Sequence, residues 1–255
     1  MPVLQLYQPA NMYALNLDHD YGTSSEEAFM TRTMLRDIST TQQLKVEMET
    51  RGQNGNCKWR EARALRITAS KFGEICRATE RKDLTKFAES VVNLVHFSSK
   101  ATAHGNKYEA IAVEAFEHIR GRTSECGLFI SPDHPWLGAS PDRILDDNSI
   151  VEVKCPFKAK DMLIDSVTVP YLQQGEKGLE LKPTHIYHYQ VQGQLMCSQR
   201  TLCYFCVYTL KDFKVIEIER NDIFIGAMVD ILSKFFNDFL YPRLVEKHVF
   251  LDYGK

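Results

Sequence analysis

The chain has 255 residues, 44% of them hydrophobic, which is enough for one large folded core with or without a helical extension. A formal net charge of −2 excludes a broadly basic nucleic-acid coat, so a phosphate-binding surface has to come from local clustering of basic residues. Seven cysteines, an N-terminal stretch without a positive segment and the lack of any long apolar run argue against a secreted disulfide framework and a membrane span; a soluble intracellular protein with reduced thiols is expected, nuclear or cytoplasmic if eukaryotic or viral.

Residues 1–22, with Pro2, Pro9 and Gly22 and no sustained period, read as an irregular arm. From Thr23 the spacing predicts a helix to about Met48, with Thr23 and Ser24 three residues before Glu26 and Glu27 as capping boxes. The run RGQNGN at 51–56 then breaks the chain, which divides it into an accessory segment, 1–57, and a main domain, 58–255.

The next stretch is the most basic of the chain, with Lys58, Arg60, Arg63, Arg66 and Lys71 among its cations. A helix over 58–65 places Trp59, Ala62 and Arg63 on one side, and the turn Ile67–Ser70 starts a second helix whose first residues can present hydroxyl and amide donors. A helix N-terminus beside arginines can hold phosphate. Taken alone, these residues read more readily as a solvated basic helix with an ordinary cap.

Apolar spacing predicts helices over Leu84–Phe97 and over the run from His104 to Gly121, the second with Tyr108, Ile111, Ala115, Phe116 and Ile119 as its buried stripe and Glu109 at the rim. Four short strands follow, Gly127–Ser131, Trp136–Ser140, Arg143–Leu145 and Ile150–Lys154, and read as a meander. Residues 156–183 read as a connection with LQQGEKGLEL as a mobile loop. Thr184–Ser198 is the next helix, with Tyr187, Gln190 and Gln194 aligned; TLCYFCVYTL is a central strand, DFKVIEIERND an edge strand, and Ile223–Leu240 a last amphipathic helix packing Phe224, Met228, Ile231, Leu232, Phe235 and Phe236. Cys203 and Cys206 stand three apart on an extended strand, so they point to opposite faces and pack in the core instead of forming half a zinc site.

The stretch WLGASPDRILDDNSIVEVKCP at 136–156 carries chemistry. Turn-forming residues 146–149 join two strands; Asp142 precedes the first, and on the second the period of two puts Glu152 and Lys154 on one face with Val153 on the other. Two acids, with Glu109 as a third, would crowd negative charge into one cleft, which calls for a compensating cation. All-oxygen ligands, including the Val153 carbonyl, suit Mg²⁺ or Mn²⁺ with retained waters, and Lys154 can orient an attacking water or offset charge in the transition state. No histidine pair stands at ligand spacing.

Five blocks in order, WREARALRITAS (59–70), HGNKYE (104–109), GASPD (138–142), VEVKCPF (151–157) and YHYQVQGQLM (187–196), resemble the phage lambda exonuclease/YqaJ-type viral recombinase family of the PD-(D/E)xK nuclease superfamily. The resemblance covers about residues 58–240. It implies an α/β restriction-endonuclease-like core, a central mixed sheet flanked by helices, and metal-dependent 5′→3′ degradation of one strand of linear duplex DNA from a 5′-phosphorylated end, in end resection for recombination or repair. It makes Asp142, Glu152 and the Val153 carbonyl metal ligands, Lys154 the catalytic lysine and Glu109 an acid near the metal, acting through water, with two Mg²⁺ ions per site when DNA is bound. It places Arg63, Ser70 and Ser140 on the 5′-phosphate, and Gln190 beside the site.

Gly193 and Gln194 depart from the family pattern, in which an aromatic residue often follows the glutamine pair. Duplex DNA ends are the implied partner, with a homotrimer also known in the family and no membrane. For residues 1–57, docking of a single-strand annealing protein, a lid over the DNA channel and an oligomer interface all stay open. The alternatives for the whole are a PD-(D/E)xK nuclease of other polarity or an endonuclease, with or without an iron–sulfur cluster, and a catalytically inactive DNA-end-binding module.

Overall fold

The described residues of the computed structural model are 38–92 and 99–252. In chain order they form α1 (Thr40–Glu49), α2 (Cys57–Ala64), β1 (Ile67–Thr68), α3 (Ala69–Cys76), α4 (Leu84–Val92) and α5 (Lys100–Arg120). Strands β2 (Phe129–Ile130), β3 (Leu137–Ala139), β4 (Arg143–Ile144), β5 (Ser149–Lys154), β6 (Leu172–Gly175) and β7 (Gly178–Leu181) follow. The chain continues through α6 (Ile186–Ser198), β8 (Leu202–Tyr208), β9 (Phe213–Glu219), α7 (Asp222–Phe235), a π-helical turn Phe236–Leu240 and α8 (Tyr241–Asp252).

The apolar run Leu202–Tyr208 sits inside a four-stranded mixed sheet of order β4-β5-β8-β9. β5 and β8 are parallel, with Glu152 opposite Phe205 and Lys154 opposite Val207; the two flanking pairs are antiparallel. Period-two alternation sorts this sheet into two cores. Val151, Val153 and Cys206 pack with Ala112, Val113 and Phe116 of α5, while Ile150, Cys203, Phe205 and Val207 pack with Val191 and Leu195 of α6. Each fully buried Val, Ile or Phe contributes about 1.5–3 kcal/mol relative to an exposed one. Cys203 and Cys206 thus lie on opposite faces, as extended-strand spacing requires. A second sheet, β1-β3-β2, pairs β1 and β3 in parallel, with Thr68 opposite Gly138, and forms the larger core with α3, α4, α7 and the π turn.

The four strands read as a meander divide instead between the two sheets, β2 and β3 in one and β4 and β5 in the other. Their spacing shows turns but not partners. The stretch read as a mobile loop is the hairpin β6–β7, in register from Leu172–Leu181 to Gly175–Gly178, with Gly178 at φ 128° closing a turn that other residues adopt only under strain. Helix α1 begins at Thr40, where Ser39 and Gln42 make a capping box; Ile38 and Ser39 are not helical. The Thr23 and Ser24 caps lie outside the described residues, as does the end of the helix expected over Leu84–Phe97. The last predicted helix ends its α-helical part at Phe235, and Ile231 is exposed on it.

On α5 the buried residues are Ala112, Val113 and Phe116, whereas Ile111 and Ile119 are exposed. The apolar stripe is therefore rotated from the predicted one. Glu109 stands three, four and seven residues before the buried set, so it continues the inward face instead of flanking it.

Two glycines bring α3 against α6. A Cβ at Gly73 would lie 2.6 Å from the Ile186 backbone, and one at Gly193 would lie 2.5 Å from the Phe72 ring. This close approach carries the start of α3 toward the face of α6 that borders β5.

Candidate active site

The site forms where β5 outruns β4. Asp142, just before β4, donates its backbone N–H to the Val151 carbonyl at 3.1 Å, and its Oδ2 accepts the Val153 N–H at 2.6 Å. Val151 faces β4 across the ladder, so two residues on, the Val153 amide and carbonyl face the same side beyond the end of β4. The Asp142 carboxylate thereby caps an unpaired strand edge.

On the α6 face, Glu152 is 2% exposed and fully engaged. Its Oε1 accepts from Lys154 Nζ at 2.5 Å and from Gln190 Nε2 at 2.6 Å, and its Oε2 accepts from Gln194 Nε2 at 2.6 Å. Gln194 is buried, and its own Oε1 has no partner. Lys154 also lies 4.7 Å from the centre of the Tyr187 ring, a cation–π contact.

The electrostatics are unbalanced in a definite direction. Burial, then the charges of Glu152 and Glu109, push the Asp142 carboxyl well above the usual carboxylate range. Burial and Glu152 raise Glu109 as well, against Arg143 and Lys154. For Lys154, burial favours the neutral amine, but Glu152 and Asp142 outweigh it and hold the ammonium charged. A buried acid whose neighbours are also acids is stabilised by protonation or by a cation.

The donor set fits a hard divalent cation: carboxylates and a strand-edge carbonyl, with no thiolate or imidazole among them. Among the described residues, no three carboxylate, histidine or cysteine side chains already converge on one ligand point.

On the other flank, the parallel pair β1/β3 delivers Ser70 and Ser140 to one end, each two residues beyond the matched Thr68 and Gly138. Ser140 Oγ accepts from Trp59 Nε1 at 2.8 Å, and the Arg63 guanidinium lies 4.2 Å from the centre of the same Trp59 ring. Thr68 and Ser70 hydroxyls are 3.3 Å apart. Arg63 is half-buried, has no carboxylate partner among the described residues, and burial lowers its pKa to about 10. Gln53, at φ 40°, donates to the carbonyls of Cys126 and Pro141, and so ties the 51–56 turn to the residue before Asp142.

The structure thus gathers Asp142, Glu152, Lys154, Gln190 and Glu109 at the end of β5, and Arg63 and Ser140 around Trp59, with Ser70 beside Thr68 at the end of the neighbouring strand β1. The sequence reading left out Gln194, Tyr187, Trp59 and Gln53 as contributors to this arrangement. The four-residue spacings Gln190–Gln194 and Trp59–Arg63 were signals for two of them; for Gln53, 88 residues from the carbonyl it holds, the sequence carries none.

A mixed sheet between α5 and α6, with an acidic hairpin and a lysine at its end, defines the restriction-endonuclease-like fold of the PD-(D/E)xK nucleases. Residues 58–201, more than half of the chain, match the YqaJ-like viral recombinase domain, and the chain belongs to that family. It is 26% identical over 212 residues to the alkaline nuclease of Orgyia pseudotsugata multicapsid polyhedrosis virus, covering 73% of this chain and 48% of that protein. The alkaline nuclease of Autographa californica nuclear polyhedrosis virus is 24% identical over 204 residues, 71% and 48% of the two chains. The chain spans about half the length of these relatives. Among solved structures, the alkaline exonuclease LHK-Exo of Laribacter hongkongensis superposes with a TM-score of 0.59 at 23% identity, over 76% of this chain and 95% of that one.

Among the described residues no helix is long and apolar enough to cross a membrane.

Proposed function

We propose that the protein is a divalent-metal-dependent 5′→3′ exonuclease that degrades one strand of linear duplex DNA from a 5′-phosphorylated end, in end resection for recombination or repair. The observation that carries the reading is the junction at the end of β5, where Asp142 takes the Val153 amide and Lys154 and two glutamines hold Glu152. Mg²⁺, or Mn²⁺ in its place, would be held by Asp142, Glu152 and the Val153 carbonyl, with Glu109 acting through water; it would supply charge neutralisation on the phosphate and an acidified water.

The protein's own groups do the rest. Lys154, kept charged and fixed between Glu152 and the Tyr187 ring, faces the phosphodiester with a localised positive charge. Gln190 and Gln194 fix the Glu152 carboxylate plane. Arg63, Ser70 and Ser140 form the terminal-phosphate grip: a half-buried guanidinium without a carboxylate partner among the described residues, two hydroxyls and the first turn of α3 favour a doubly charged phosphate over a hydroxyl. Retention of a 5′-phosphate beside the cutting centre is what gives the reaction an end and a direction.

The same reading takes residues 58–255 as the nuclease domain and 1–57 as accessory. Within the accessory part, Glu47 and Thr50 accept the amides of Gly127 and Leu128, which fastens α1 to the strand leading toward the site. The partners that follow are duplex DNA ends and, for recombination, a single-strand annealing protein.

Digestion of end-labelled linear duplex, with and without Mg²⁺ and with either end phosphorylated, tests the reading. Label release from 5′-phosphorylated ends only when the metal is present is expected. Cleavage of closed circular DNA at the same rate, or release from the 3′ end, overturns it.

A further inference from the structure

Two clefts of equal size, each of about 350 Å³, open on either side of Glu109, but their chemistry differs. One is walled by Gln53, Asn54, Glu125 and Arg143, without an aromatic ring. The other is walled by Phe157, Tyr171 and Tyr187, and Val153 and Lys154 border it. We infer that this aromatic cleft is a nucleobase subsite, which takes by stacking the base of a nucleotide next to the scissile phosphodiester. The inference rests on the nuclease reading above and extends it to how substrate is gripped.

The volume lies at the low end of the range for small-ligand sites, room for a single nucleotide and not for a length of duplex. Its rings are held by one another and by a neighbouring ring. Tyr171 and Tyr187 meet edge to face at 5.0 Å, and Phe157 meets His104 edge to face at 5.5 Å, while Phe157 itself stays 37% exposed at the rim. A fixed ring at a cleft mouth is a stacking platform, and because every base has a π-face such a platform is indifferent to sequence.

Two further observations point to an occupant. The Tyr171 hydroxyl in this wall is buried without a hydrogen-bond partner among the described residues, an arrangement costly to a protein with nothing to bind there. Gly105, the sixth residue of α5, also lines the cleft, and a Cβ there would meet nothing within 4 Å; a glycine inside a helix lowers helix stability, and here it leaves the cleft open.

The open space at the Gly105 Cβ position lets Gly105→Leu enter the cleft from α5, and because the change also removes a glycine from a helix, its melting temperature should be no lower than that of the wild type. Cleavage is measured on natural 5′-phosphorylated ends and on ends whose first or second nucleotide lacks its base. The wild type should lose about tenfold or more at one of these abasic positions, as expected for a lost stacking contact. Gly105→Leu should show that loss already on natural ends, with no further loss on the abasic ones. Equal wild-type rates on natural and abasic ends, or losses that multiply when variant and abasic end are combined, overturn the inference while leaving the exonuclease intact. A separate arm needs no cleavage: 2-aminopurine deoxynucleoside 5′-monophosphate in EDTA should lose fluorescence on binding the wild type and not on adding Gly105→Leu. Unquenched fluorescence with the wild type overturns the subsite whether or not the protein cuts DNA.

Discussion

The two flanks of the site carry opposite electrostatic debts. At the end of β5, Asp142 and Glu109 are carboxyls that burial and their neighbours' charge drive toward protonation. Around Trp59, Arg63 is a cation that burial drives toward neutrality, with no carboxylate among the described residues to answer it. Each flank alone is destabilising, the first for want of a cation and the second for want of an anion. A phosphorylated DNA end with its metal supplies both at once, so the difference between the flanks describes the substrate better than either does alone.

The comparison breaks most sharply on the acidic side. Lys154→Ala or Asp142→Asn should lower DNA hydrolysis by roughly a thousandfold, the scale for removing one group that faces developing charge, while circular dichroism shows the fold retained. Wild-type rates from both purified variants would remove the acidic junction from the mechanism.

Gln194→Leu asks how much of that flank is positioning. It leaves the buried Glu152 Oε2 without its donor, for a stability cost of about 1–3 kcal/mol. About tenfold slower turnover with little change in KM is expected, with Gln194→Glu no better. A variant as fast as the wild type would mean that Lys154 and Gln190 suffice to hold Glu152.

Gly73→Ala probes the join between the flanks, because the added methyl must displace the Ile186 backbone. A cost of about 1–3 kcal/mol is expected, seen as a melting temperature lower by several degrees. The preference for 5′-phosphorylated ends should fall more than the rate on 5′-hydroxyl ends, since Ser70 and α3 move relative to β5.

The smallest effect is on pH. In metal-free protein, the raised pKa values of Asp142 and Glu109 stabilise the fold fully below the ordinary carboxylate range, and this contribution is lost as pH rises through the raised values. The lowered acids, such as Glu117, Asp146 and Asp212, act with the opposite sign in wild type and variant alike, so denaturant titrations in EDTA should show Asp142→Asn, whose amide oxygen still accepts the Val153 N–H, gaining stability relative to the wild type from acidic to neutral pH.

The acidic hairpin was legible in the sequence because its chemistry is local. Asp142, Glu152 and Lys154 lie within thirteen residues, and period-two alternation alone puts the last two on one face. The lambda-exonuclease-like core was legible from five blocks in order. What the sequence obscured is long-range pairing: four short strands with similar spacing do not say that two belong to a different sheet, and the 172–181 hairpin hides behind Gly, Lys and Glu residues that equally suit a loop. The α5 stripe was misjudged because Ile111 and Ile119 are apolar yet exposed, and apolarity stood in for burial. Gln194, read as a departure from a family pattern, turns out to face inward and hold Glu152; a glutamine's amide gives no hint of which carboxylate it will meet.

The central claim is that the unanswered Arg63 and the crowded Asp142 serve one substrate. Single-turnover cleavage of linear duplex bearing either a 5′-phosphate or a 5′-hydroxyl, by wild type and Arg63→Ala in Mg²⁺, tests it most directly. A wild-type preference for the phosphorylated end of roughly tenfold to a hundredfold is expected, the scale of one charge-assisted contact, and it should vanish in Arg63→Ala. Equal wild-type rates on the two ends, or a preference untouched by Arg63→Ala, would contradict the account.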